Sequence, residues 1–199
     1  MPLAPLIVLS GPSGAGKSTV VEAVLAGCRF PLRRVVTATT RPARPGEGDG
    51  IDYHFWTKDR FRSALAAGEM LEHAVVFGKD FYGTPKAEVD PRRAAGVGVL
   101  LVIDVQGAAQ VRAKYPGDHL SVFLAVPSLD ELERRLRGRG TEDEARITRR
   151  LTAAAEETAR AGEFDEMVVN DTVANAVAKL LAIIDRDFTL RGIPPCSTN

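Results

Sequence analysis

The sequence predicts an α/β fold: a parallel-sheet core flanked by helices and interrupted by a smaller mixed α+β insert. Three observations carry this. Toward both ends, short apolar runs alternate with helical patterns, the rhythm of β-α-β units. The runs are apolar throughout rather than alternating, as a strand covered by helices on both faces must be. Between about 37 and 90 the rhythm fails, and short aromatic runs and a Gly/Pro-rich arm take over.

Taken in order, Leu6–Ser10 is a buried strand stopped by Gly11, and Lys17–Gly27 is a helix with Val20, Val21, Val24 and Leu25 on one face. Residues 33–39 form a β-branched run and read as a second strand. Residues 41–52 carry Pro42, Pro45, Gly46, Gly48 and Gly50, which bar regular structure. Residues 53–56 are a short aromatic strand, 58–67 a helix terminated by Gly68, 70–77 a strand, and 85–95 a helix opened by its proline. Residues 98–104 are a buried strand ending in an acid, followed by a helix over 106–115. Residues 120–126 are the next strand, stopped by Pro127. Ser128 and Glu131 form a capping box for a helix to Arg137. Gly138 and Gly140 break it, and Thr141 with Glu144 forms a second capping box for a long helix to about Gly162. Residues 167–170 are a last strand, 173–191 a last helix, and 192–199 a tail with Pro194-Pro195.

Composition removes several function classes. Lys+Arg and Asp+Glu balance at 26 each, so no bulk positive field argues for nucleic acid. Arginine outnumbers lysine twenty to six, a composition rich in phosphate-matching forks. No apolar run approaches the ~20 residues of a membrane span, and the N-terminus lacks the basic region of a secretory leader. Cys28 and Cys196 lie far apart, and His54, His73 and His119 have no ligand-like spacing. A cytoplasmic, soluble protein without membrane or nucleic-acid partners is expected.

Residues 11–19 read Gly-Pro-Ser-Gly-Ala-Gly-Lys-Ser-Thr, the G-x-x-x-x-G-K-[ST] pattern of a phosphate-binding loop, between an apolar strand and a helix. Glycines let successive backbone N–H groups turn inward, and the helix start adds its positive end. Gly11, Pro12, Ser13, Gly14, Ala15, Gly16, Lys17, Ser18 and Thr19 are therefore expected to hold the phosphates of a nucleoside triphosphate. Lys17 would reach the outer phosphates and the Ser18 hydroxyl would ligate Mg²⁺. The Asn-Lys-x-Asp signature of a GTPase is missing, and the chain is small for a motor ATPase.

The acceptor side is read from residues 37–55, Thr-Ala-Thr-Thr-Arg-Pro-Ala-Arg-Pro-Gly-Glu-Gly-Asp-Gly-Ile-Asp-Tyr-His-Phe. Arg41 and Arg44, three apart in a Gly/Pro-rich loop, suit a monophosphate gripped by charge-assisted hydrogen bonds. This segment resembles the GMP-holding part of guanylate kinases. The resemblance runs from Ile7 to about Asp187 and includes Glu72-His73-Ala74, Tyr82-Gly83-Thr84, Ile103-Asp104-Val105-Gln106-Gly107, 137–141 and Val169-Asn170-Asp171.

The resemblance implies a P-loop nucleoside monophosphate kinase that takes Mg-ATP and GMP, with dGMP as a second acceptor. GMP would be held by Thr37, Arg41, Arg44, Tyr53, Glu72, Tyr82, Thr84 and Asp104. Glu72 would accept hydrogen bonds from guanine N1–H and the exocyclic amine, which adenine cannot supply. Thr37 and Thr84 would contact the O6/N7 edge, and Asp104 would lie at the guanine or at the metal–phosphate cluster, reaching Mg²⁺ through water. Asn170 is expected at the donor adenine. The expected catalytic cations are Lys17, Arg44, Arg139 and Arg150, the last two on a helical lid. One unit over 5–187 is expected, with a core over 1–36, 91–136 and 151–199, a GMP-binding insert over 37–90, and a lid over 137–150.

Two departures from the family pattern stand out. Val102 occupies a position that is usually acidic, two residues before Asp104, and the stretch from Gly78 to Tyr82 is one residue longer than usual. Two rival readings are an interaction module of the same fold, which would lack Lys17 and the lid arginines, and a kinase of sugar phosphates, which would lack the guanine-reading set. Oligomeric state is left open.

Overall fold

The computed structural model describes residues 3–76, 79–138 and 143–196. Among these the chain runs β1 (Leu6–Ser10), α1 (Lys17–Gly27), β2 (Leu32–Arg34), β3 (Ala38–Thr39), β4 (His54–Phe55), α2 (Lys58–Ala66), β5 (Met70–Val76), β6 (Asp80–Pro85), α3 (Asp90–Ala94), β7 (Gly98–Val102), α4 (Val105–Lys114), β8 (Leu120–Ala125), α5 (Leu129–Arg137), α6 (Glu144–Ala159), β9 (Glu166–Val169) and α7 (Val173–Leu190).

Apolar runs become the central sheet, whose strands lie parallel in the order β2-β7-β1-β8-β9. Alternate β1 side chains go to opposite faces, because a strand has a period of two. Ile7 and Leu9 pack with Val20, Val24, Leu180, Ile184 and Phe188 of α1 and α7. Leu6 and Val8 pack on the other face with Leu71, Leu101, Ala108 and Val111, beneath α4. Helices therefore cover both faces, as the unbroken apolar runs anticipate.

The second sheet has the order β4-β3-β6-β5, with β3 parallel to β4 and antiparallel to β6, and β6 antiparallel to β5. It has its own small core of Ala38, Phe61, Ala64 and Met70.

Local expectations fail in three places, each for a tertiary reason. The run over 33–39 is two strands, not one: β2 pairs with β7 in the central sheet, and β3 joins the second. A strand over 80–85 is not expected from sequence, because Asp-Phe-Tyr-Gly-Thr-Pro has no clean alternation; β6 exists because β5 and β3 pair with it from both sides. Pro85 ends a strand opposite Met70 and caps only a short 3-10 turn over Lys86–Glu88, so the helix expected over 85–95 is divided, and Pro91 lies in the first turn of α3.

Capping follows local chemistry more closely. Ser128 Oγ accepts from the Glu131 N–H at 3.1 Å, while the Glu131 carboxylate turns to Arg134 and Arg135 rather than back to the cap. The cap of α6 is Asp143, which accepts from the Arg146 N–H at 2.7 Å. Thr141, the expected cap, lies outside the described residues. No described helix is long and apolar enough to cross a membrane.

Candidate active site

The loop between β1 and α1 has a shape only glycine permits at its first residue. Gly11 has φ +140°, and a Cβ there would stand 2.2 Å from the Leu124 carbonyl oxygen on β8. At the other end Gly16 caps α1 at φ +89°, with no side-chain cap and no acidic residue in the first turn. The leading N–H groups of α1 are thus left for an anion. The turn is closed by the Ala15 N–H donating to Pro12 O at 3.0 Å. Asn170, 3% exposed beneath it, donates from Nδ2 to Ala15 O at 2.7 Å, so its amide serves the shape of the loop. Lys17 Nζ folds back onto the carbonyls of Gly11 and Pro12. Burial lowers its pKa, and the negative charges of Glu157 and Asp104 oppose that shift. Ser18 and Thr19 are exposed beside it.

On the second sheet, Arg41 is held on all sides. Its guanidinium makes a two-pronged contact with Glu47, both bonds 2.6 Å, and Nε donates to the Tyr82 hydroxyl at 3.1 Å. Its plane lies 5.0 Å from the Tyr53 ring centre, and Tyr53 meets Tyr82 edge-on. Glu47 also accepts from the Arg44 N–H at 2.8 Å, leaving the Arg44 side chain exposed. The Arg41 hydrogen bonds, helped by the Arg44 N–H, outweigh the opposing loss of hydration and hold the Glu47 carboxyl at about 2. Arg41, Tyr53 and Tyr82 therefore meet in one cluster, which the Arg44 backbone joins through Glu47. Glu47 is not among the residues singled out from sequence, although an acid three residues after an arginine in an arginine-bearing loop is a readable signal.

Glu72 on β5 faces Thr84 on β6 directly and is 3% exposed. Thr84 Oγ1 donates to Glu72 Oε1 at 2.6 Å. Burial raises the Glu72 pKa to about 7, against the pull of the Thr84 bond, and the Asp104 charge adds to the rise. Thr37, half-buried just before β3, accepts through its carbonyl from the His54 N–H at 2.9 Å.

Asp104 caps α4, with Oδ1 accepting from the N–H groups of Gln106 (3.0 Å) and Gly107 (2.8 Å). Just before it the Ile103 N–H donates to Leu9 O on β1 at 3.2 Å, and one turn after it Gly107 packs against the Glu72 carboxylate; the Asp104 charge acts to raise the pKa of both Lys17 and Glu72. Val102 is half-buried and packs against the larger core cluster. A different carboxylate, Glu157 of α6, is half-buried near Lys17 and Asp104, and burial raises its pKa. It lies seven residues after Arg150, two helical turns along one face; that spacing is the signal the sequence offers. Arg150 is half-buried on α6. Arg139 lies outside the described residues. Ser18 and Asp104 offer a hydroxyl and a carboxylate, hard oxygen donors that fit Mg²⁺, an ion that keeps waters and phosphate oxygens as its other ligands.

A family model described as guanylate kinase matches residues 4–187. The chain is 52% identical over 180 residues to the guanylate kinase of Frankia casuarinae, covering 90% of this chain and 96% of that one. It is 46% identical over 184 residues to the guanylate kinase of Salinibacter ruber, covering 92% and 97%. The crystal structure of guanylate kinase from Anaplasma phagocytophilum superimposes with a TM-score of 0.74 at 31% identity, covering 94% of this chain and 87% of that one. Likeness of this extent, in sequence and in fold, settles descent: the chain belongs to the guanylate kinase family.

Proposed function

We propose that the chain transfers the γ-phosphoryl group of Mg-ATP to GMP, and to dGMP at the same site, giving ADP and the nucleoside diphosphate. The observation that carries this is the segment 103–107, which is hydrogen-bonded at Ile103 to the strand that leads into the loop and packed at Gly107 against the buried Glu72 carboxylate, with Asp104 between them in the chain.

In this reading residues 11–19 cradle the ATP phosphates, and the loop N–H groups with Lys17 neutralise charge that develops on the transferring group. Ser18, with Asp104 acting through water, would hold Mg²⁺, whose charge would offset that of the phosphates when bound. Arg41, Arg44, Tyr53 and Tyr82 grip the GMP phosphate. Ionised Glu72 accepts from guanine N1–H and the 2-amine, while Thr37 and Thr84 meet the O6/N7 edge. Arg150 and Arg139, which the family resemblance assigns to a lid over 137–150, would add positive charge at the transferring group. The acceptor phosphate oxygen attacks the γ-phosphorus, the bond to the β-phosphate oxygen breaks, and ADP leaves with that electron pair. The attacking oxygen is already anionic, so no protein base is required. Closure would exclude water, which otherwise competes as acceptor.

The test is an acceptor panel of GMP, dGMP, AMP, UMP and CMP with Mg-ATP, read as ADP release. Turnover confined to GMP and dGMP is expected. Equal turnover on AMP, or none on GMP, overturns the reading.

A further inference from the structure

Glu72 stands on the outermost strand of the second sheet, and a β-bulge immediately precedes it. Met70 pairs with Pro85 and Glu72 with Thr84, so Leu71 is an extra residue with no partner on β6. A bulge redirects the side chains that follow it and leaves backbone groups unmatched. An edge strand has a whole row of such groups. Here they are satisfied by side chains from a helix of the central domain. Lys114 Nζ donates to the carbonyl of Leu71, the bulged residue, at 2.8 Å. Gln110 makes a two-way contact with His73: its Nε2 donates to His73 O at 2.5 Å, and its Oε1 accepts from the His73 N–H at 3.2 Å. The amide of Gln110 thus takes the place of the strand that β5 lacks, at the residue after Glu72.

The same helix face reaches the carboxylate itself. Gly107, one turn before Gln110, leaves room for Glu72: a Cβ there would lie 2.5 Å from Glu72 Oε2. One turn earlier still is Asp104, the cap of α4. Positions 104, 107, 110 and 114 recur every three to four residues and so share one side of the helix.

We propose that Gln110 is a positioning residue for base recognition: α4 acts as a gauge that sets the height of Glu72 relative to Asp104 and the phosphate loop, and the Gln110–His73 pair is its contact point. Lys114 anchors the bulge beside it. The proposal rests on the assignment of Glu72 as the guanine reader. It adds a residue that does not touch substrate yet determines how sharply a 2-amino purine is distinguished from one without that amine. When the contact is lost, the edge of β5 is free to shift, and a carboxylate that must meet two donors at once loses its register with both.

The experiment compares wild type, Gln110→Met and Gln110→Glu in steady-state kinetics with GMP and with inosine monophosphate, which keeps N1–H but lacks the 2-amine. Gln110→Met fills similar volume and removes both hydrogen bonds. The expected result is a GMP KM raised by about tenfold and a GMP-over-inosinate preference reduced by about fivefold, the scale of a lost recognition hydrogen bond. The KM for ATP and kcat at saturating GMP should stay within about twofold, since the phosphate machinery is unaltered. Gln110→Glu still accepts from the His73 N–H but cannot donate to His73 O, and should fall between the two; it also serves if Gln110→Met does not fold. Exchange of the His73 amide in ligand-free protein should be faster in Gln110→Met, which removes its acceptor. A merely structural role would lower kcat and raise both KM values together, and that pattern overturns the proposal, as does an unshifted GMP KM in either variant. Wild type without GMP turnover overturns the functional reading and this proposal with it. Normal wild-type turnover beside unshifted variants overturns this proposal alone.

Discussion

The Thr84 hydroxyl donates to Glu72 Oε1 at 2.6 Å across a strand pair closed to water. Two forces meet in that contact. The hydrogen bond favours the carboxylate, while removal from water favours the acid. Burial is the larger, so the pKa settles at about 7 rather than at the ordinary 4.5.

Glu72→Gln should therefore separate stability from function. With the folded value raised above the unfolded one, the stabilising balance is fully present below 4.5 and is lost as pH rises through about 7. At about pH 8 the substitution should stabilise the ligand-free protein by up to ~3 kcal/mol, and at about pH 4 by almost nothing. Melting curves at the two pH values check this. In wild type the GMP KM should be about tenfold higher near pH 6 than near pH 8, since only the ionised form accepts both guanine donors. The variant should lose GMP turnover and that pH dependence; a variant with unchanged GMP turnover contradicts the assignment.

Glu47→Ala should raise the GMP KM by about fivefold and leave the ATP KM unchanged, because Arg41 would lose the two-pronged contact that aims it. Calorimetric titration with GMP reads the same change directly. Tighter GMP binding in the variant would mean that Glu47 competes with the phosphate for Arg41.

Lys17→Ala should lower kcat by at least about a hundredfold, the scale set by removing one well-aimed charge from a developing anion. GMP affinity should stay within about threefold, and the circular dichroism spectrum should be that of wild type. Near-normal turnover would remove Lys17 from the phosphate clamp.

Asn170→Ala deprives the buried Ala15 carbonyl of its 2.7 Å donor. An unmatched buried acceptor costs about 1–3 kcal/mol, so the melting temperature should fall by about 3–8 °C. The ATP KM should rise while the GMP KM does not, since the damage is confined to the cradle. A raised GMP KM with a normal ATP KM would contradict the bracing role.

Much of the molecule is legible in the amino-acid sequence. The loop 11–19 is contiguous, and its glycines, lysine and hydroxyls have local reasons to be where they are. The strands β1, β7 and β8 announce themselves by unbroken apolarity, and Ser128 by its capping chemistry. Arg41, Tyr53, Glu72, Tyr82 and Thr84 are identified by likeness to a family, not by periodicity.

Tertiary structure alone decided the rest. It divided 33–39 between two sheets, made a strand of 80–85, and set α4 against the edge of β5 so that Gly107 meets Glu72 while Gln110 and Lys114 meet its neighbours His73 and Leu71. It also set Glu157 of α6 near enough to the loop lysine for their charges to interact. The division has a physical cause. A phosphate loop is specified by backbone freedom and side-chain type over a few adjacent residues, which sequence records directly. A strand edge or a helix face gains its meaning from whichever group completes its hydrogen bonds, and that partner is distant in the chain and fixed only when the layers pack.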